Sequence, residues 1–204
     1  MAHSSQHSVF HHAKLAEFAV SKKSYLEAHP DAPFGYIAAS VLVVDLPPRS
    51  KPRILLLQRA ADDDDPNLWE PPGGACEDDD HSILYGAARE LREETGLEAA
   101  CFMAQAGEPH FYTLDDGKKV CQFNFLAIPE LDKTISLDRE EHQRFVWATR
   151  EQVERGRVEE QGIDLKFTRK EVLRTILSGF DWLLENTAPI KMEEGKLMTG
   201  KQLM

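Results

Sequence analysis

The apolar positions of this chain alternate between helical and extended spacing. Phe10, Leu15, Phe18 and Val20 recur at helical intervals, which predicts a helix over about 9–28, closed by "HPDAPFG". "YIAASVLVVD" (36–45) reads as a buried strand and "RILLLQR" (53–59) as a second one, with the breaker "LPPRSKP" between them. "ADDDDPNLW" then reads as a charged loop, and "WEPPGG" as a short strand broken by prolines and glycines. A helix follows, with Ser82 suited to its N-cap and Gly96 to its C-terminal stop. Its apolar stripe is Leu84, Ala87, Ala88 and Leu91, which leaves Glu90, Glu93 and Glu94 largely on the other side. "EAACFMAQA", "PHFYTLDD", "KKVCQFNFLAI" and "QRFVWAT" predict four more strands, and "DDGKK" supplies a hairpin turn. In "TRKE", Thr168 and Glu171 fit a capping box; Val172, Ile176, Phe180 and Leu184 mark a core-packing helix over about 168–185. The tail from Ile190 shows little periodicity. The pattern as a whole predicts one α/β domain over residues 1–204.

Composition agrees with a folded chain: 42% of the 204 residues are hydrophobic and 29% charged. The formal net charge of −11 argues against binding a nucleic-acid polymer or an anionic membrane surface. It is compatible with a small anionic substrate, because a bound metal inverts the charge of a site. Cys76, Cys101 and Cys121 are odd in number and widely spaced, so neither a zinc site nor a disulfide framework is expected. No apolar run approaches the roughly 20 residues needed to span a bilayer. The first residues lack the pattern of a signal peptide, and the expected compartment is the cytoplasm. A homodimer is left open.

The chemistry concentrates in "ARELREETGLEA" (88–99). Like charges at helical neighbours cost a helix a few tenths of a kcal/mol per pair, about 0.2–0.5. Arg89 stands four residues before Glu93 and offsets part of that. A solvated acidic face would account for the charges but not for the Gly-Gly turn directly upstream, whose backbone can approach a ligand closely. Clustered carboxylates near a free carbonyl are hard oxygen ligands suited to magnesium or manganese. Such a site supports hydrolysis of phosphate esters or anhydrides by metal-activated water.

"GGACEDDDHSILYGAARELREETGL" (73–97) resembles the Nudix box, and "RELREETGL" (89–97) matches its second half at every position. "ILLLQRA" and "NLWEPPGG" upstream are similar to the strand and Gly-Gly entry of the same family. The resemblance covers roughly 36–155 and implies a Nudix-type α/β/α sandwich with a mixed sheet, here with extra N-terminal and C-terminal helices. It implies a metal-dependent hydrolase that cleaves a diphosphate linkage in a small molecule, with Mg2+ or Mn2+ as cofactor. The metal ligands it implies are Glu90, Glu93, Glu94 and the Gly73 carbonyl, with Arg89 holding Glu93. Glu141 in "DREEHQRFVW" is a candidate general base, and Arg59 a candidate contact for substrate phosphate. The first half of the box departs from the pattern. The glutamate expected eight residues before Arg89 is His81, so either the neighbouring Asp80 fills the role or the position is unfilled. That departure leaves a weak or inactive Nudix-fold binding or regulatory protein as the alternative. An isomerase of isopentenyl diphosphate type, with Cys76 at its site, is a third reading. The diphosphate itself is not legible: nucleotide, prenyl and inositol compounds all stay open.

Overall fold

Burial on both faces explains why the central strands read as continuous apolar runs. The computed structural model describes residues 9–47, 51–131 and 134–186; the tail from Ile190 lies outside them. The N-terminal segment forms a 3-10 helix, Ala13–Phe18, and then helix α1, Lys22–Ala28, rather than the single helix expected. The break has a local cause. Ser21 adopts an extended backbone and its hydroxyl accepts from the Ser24 amide, so a new helix is capped where the old one would have continued. Leu15, Phe18 and Tyr25 are buried, whereas Phe10 and Val20 face solvent.

Strands β1 (Tyr36–Asp45) and β2 (Arg53–Arg59) follow, then the short β3 (Trp69–Glu70) and β4 (Gly73–Ala75). Helix α2 spans Ile83–Thr95, and strands β5 (Ala99–Gln105), β6 (His110–Thr113), β7 (Lys119–Pro129) and β8 (His142–Thr149) come after it. These eight strands join in one sheet along the order β3-β2-β1-β7-β5, with β4 on β1, β6 on β7 and β8 on β2. The sheet is mixed: β1 and β7 run parallel, the other pairs antiparallel.

Alternation along the strands sorts the core into two layers. Ile37, Ala39, Val41 and Val43 of β1 join Leu55 and Leu57 of β2 beneath α2 and the N-terminal helices. Leu42, Val44, Ile54 and Leu56 point the other way, toward the C-terminal helices. Those are α3 (Arg150–Arg155) and α4 (Lys170–Asn186), separated by the hairpin β9–β10 (Arg157–Val158 and Ile163–Asp164). Helices on both faces of a mixed sheet make the α/β/α sandwich.

The sequence pattern missed α3 and the β9–β10 hairpin. Both are short and charge-rich, and α3 is held by a capping box between Thr149 and Gln152 rather than by an apolar stripe. In α4 the buried stripe runs through Val172, Ile176, Phe180 and Leu183, while Leu184, expected inside, is exposed. Thr168, expected to cap this helix, instead lines a cavity together with Glu70. Among the described residues, no helix is long and apolar enough to cross a membrane.

Candidate functional site

Helix α2 is fixed at both ends by the residues that signalled it. The Ser82 hydroxyl accepts from the Tyr85 amide at 3.0 Å, and Gly96 turns left-handed (φ 71°) with its N–H on the Arg92 carbonyl. The two central elements leave little room between them. A Cβ on Gly73 would lie 2.4 Å from the Ala39 carbonyl oxygen, and one on Gly74 would lie 2.8 Å from the Glu90 carboxylate. Glycine at both positions lets β4 pack on β1 and brings Glu90 against the turn.

Arg89 organises the helix face. Its Nε and Nη2 donate to Asp80 at 3.1 Å each, its Nη1 to Glu90 and Glu93 at 2.9 Å each, and its Nη2 also to the Ala75 carbonyl at 3.0 Å. All five guanidinium N–H groups are thereby used. These contacts raise its pKa, the Asp80 hydrogen bonds foremost. Asp80 is only 3% exposed and also accepts from the Glu77 amide at 2.7 Å. His81 points out to solvent and packs on the Tyr85 ring, centroids 4.1 Å apart. The carboxylate that meets Arg89 from the loop is therefore that of Asp80.

Glu94 departs from the outward position expected for it. It is 4% exposed, because it continues the register of Ala87 and Leu91 at steps of four and three and so borders the buried stripe. Its Oε2 accepts from the Gly73 amide at 3.1 Å. The hydrogen bond found at Gly73 thus runs through its N–H to a carboxylate, whereas the expectation concerned its carbonyl. Burial raises the Glu94 pKa well above the usual carboxylate range, and nearby Glu90, Glu141 and Glu70 raise it further. Burial likewise lifts Glu90. Glu93 is the outlying member, with a side chain 52% exposed and tethered by Arg89.

Glu141 comes to this cluster from the residue preceding β8. One ligand atom each from Glu94, Glu141 and His142 lies within 4.8 Å of the others. His142 is buried, its Nδ1 makes no hydrogen bond, and burial together with the Arg59 charge lowers its pKa to about 4. Arg59 donates to Asp63 and to Glu70, and lines a cavity of about 320 Å³ beside Glu70, Gly73 and Gly74. Burial raises the Glu70 pKa, and Arg59 opposes that rise.

The structure therefore brings Gly73, Glu90, Glu94 and Glu141 to one place, keeps Arg89 behind them, and sets Arg59 on the cavity wall. Sequence reasoning missed Glu70 and His142. Their signals were positional: Glu70 stands at the strand end entering the proline-glycine turn, and His142 directly follows Glu141. Cys76 is buried beneath α2, does not line this cavity, and has its thiol pushed up to about 12 chiefly by burial. A protonated thiol there is a poor acid–base group.

The family model described as NUDIX domain matches residues 37–169. No curated protein matches the chain. Among solved structures, the MutT protein from Methanosarcina mazei Go1 is similar at 23% identity and a TM-score of 0.53, over 74% of this chain and 95% of that one. A C. elegans Ap4A hydrolase, solved as a binary complex, aligns at 22% identity and a TM-score of 0.56, over 74% of this chain and 99% of that one. The NUDIX domain of Shewanella oneidensis NrtR, complexed with ADP ribose, aligns at 16% identity and a TM-score of 0.55, over 79% and 98%. At these identities the likeness concerns the fold.

Proposed function

The chain belongs to the NUDIX domain family, and from that premise we propose that it is a hydrolase cleaving a diphosphate linkage in a small molecule with a divalent cation. One observation carries the reading. Glu94 is 4% exposed beside the cavity-lining Gly73 and close to Glu141 and His142, and burial with Glu90, Glu141 and Glu70 disfavours its charged form, a cost that a bound cation would remove. The donors are hard oxygens, which fit magnesium or manganese. Glu90, Glu94 and Glu141 would hold the ion, with Glu93 and the Gly73 carbonyl as further ligands. When bound, such a cation supplies charge neutralisation at the phosphates and lowers the pKa of coordinated water.

The protein's own groups then divide the work. Arg89 holds Glu90 and Glu93 in place and is itself anchored by Asp80. The Glu141 carboxylate would accept the proton of the attacking water, and burial, which raises its pKa, makes it a better proton acceptor than an exposed carboxylate. Arg59 spends three contacts on Asp63 and Glu70, which leaves N–H groups for a substrate phosphate.

A phosphate-release screen over nucleoside diphosphate, dinucleotide and prenyl diphosphate compounds, with magnesium and with manganese, tests the proposal. Metal-dependent release by the parent that is lost in Glu94→Gln is the expected result. Absence of release on every substrate would leave the alternative, a binding or regulatory protein on the same fold.

A further inference from the structure

Away from the carboxylates, the N-terminal segment and α4 meet over β5, the last strand in the order of the sheet, and border a cavity of about 680 Å³. Sites for small molecules run from about 300 to 1,000 Å³. None of its lining residues lines the cavity beside Glu70. Two of its walls come from outside residues 37–169, the part that matches the family model, so the shared family core does not account for it. Along the third wall, β5 shifts register against β7 at Ala99–Cys101 and again at Phe102–Ala104, irregularities that bend an edge strand.

The lining is divided in character. Met103 of β5 and Trp182 of α4 pack on the second core layer yet stay half-buried, and both line the cavity. The N-terminal segment supplies His11, His12 and Lys14. The chain carries 35 Asp and Glu against 24 Lys and Arg, but no carboxylate lines this cavity. Lys14 is exposed, and among the described residues its ammonium has no acidic partner. The His12 Nδ1 accepts from the Lys14 amide at 3.2 Å, which leaves the ring proton on Nε2 as a donor. An uncharged apolar occupant would leave the lysine and that donor unused. A small hydrophilic anion would leave the apolar faces of Trp182 and Met103 wet.

We propose that this cavity binds an amphipathic carboxylate, a hydrocarbon chain or aromatic ring bearing one acid group. The body lies against Trp182 and Met103, and the carboxylate meets Lys14 and His12. The site is independent of the hydrolase reading and stands whether or not that reading holds.

Cys101 reports on occupancy, since it lines the cavity and is half-buried whereas Cys76 and Cys121 are buried. The full chain is alkylated with iodoacetamide in the presence of octanoate, 1-naphthoate or their neutral amides, with Cys101→Ser confirming the labelled thiol. At a tenfold excess over its dissociation constant, at least one acid should slow labelling about tenfold. Protection by octanoate alone assigns an acyl chain, and by naphthoate alone a flat ring. The matching amide should bind about two- to fivefold more weakly, and Lys14→Gln should erase that difference. Trp182→Ala should weaken the acid about tenfold or more. Ala104→Leu, which narrows the cavity from β5, serves if Trp182→Ala does not fold. A Cys101 that neither acid protects overturns the proposal. So does equal protection by acid and amide, a preference for the acid that survives Lys14→Gln, or binding unchanged by the variants that alter the apolar wall.

Discussion

Replacing Asp80 by Asn isolates the role of the loop carboxylate while keeping its shape. Asp80 takes two hydrogen bonds from Arg89 and one from the Glu77 amide, all in a nearly closed pocket. Every partner is a donor, so an amide group at this site turns at least one contact from attractive to repulsive. Hydrogen bonds to charged groups contribute about 1.5–3 kcal/mol, and breaking a buried ion pair costs up to about 5 kcal/mol. Arg89 keeps Glu90, Glu93 and the Ala75 carbonyl, so its charge is not stranded and the lower figure applies. We expect a loss of about 2 kcal/mol, which in a domain of this size lowers the Tm by roughly 4–8 °C. Turnover should fall by about tenfold or more, because Arg89 would no longer fix Glu90 and Glu93. His81→Ala serves as the contrast: an exposed ring touching Tyr85 should change stability by no more than about 0.5 kcal/mol. Thermal melts in chelator and initial rates with metal measure both effects. A silent Asp80→Asn alongside a damaging His81→Ala would refute the placement of the loop.

Glu94→Gln should abolish most turnover yet stabilise the metal-free protein, since an amide avoids the cost of either burying a charge beside Glu90, Glu141 and Glu70 or taking up a proton to neutralise it. The sign follows from linkage. The folded state holds the Glu94 proton more tightly than the unfolded chain, so metal-free stability should rise as pH falls from the raised folded value toward the ordinary 4.5. Denaturant titrations across that range should show the slope, and the variant should flatten it. Magnesium or manganese at a hundredfold excess over its dissociation constant should add about 2.7 kcal/mol, or roughly 5–11 °C of Tm. Glu90→Gln should blunt that gain, and identical melts with saturating metal and with chelator would count against a preformed site. The paired glycines should respond differently. Gly73→Ala drives a methyl into the β1 backbone and should destabilise by about 2–3 kcal/mol, whereas Gly74→Ala displaces only the Glu90 carboxylate and should lower activity more than Tm.

Features that depend on neighbours along the chain were legible from the residues alone. β1 and β2 follow the apolar runs residue for residue, since a strand buried on both faces has no polar position to blur its ends. α2 begins after Ser82 and stops at Gly96 because a hydroxyl cap and a left-handed glycine act within a few residues. The pairing of Arg89 with Glu93 is a one-turn relation and was readable too. The tertiary structure decided which groups meet from afar. Register between β2 and β8 sets Arg59 opposite His142, and so carries Glu141 to Glu94 across nearly fifty residues. Pairing of β2 with β3 brings Glu70 to Arg59, and the choice of Asp80 over His81 was made by the five N–H groups of one guanidinium. Whether Glu94 faced water or the interior turned on a fraction of a helical turn and on the depth of the sheet beneath it. Periodicity fixes a side chain's direction on its own element; only the packing of elements fixes what that direction meets, and burial then sets the charge it can carry.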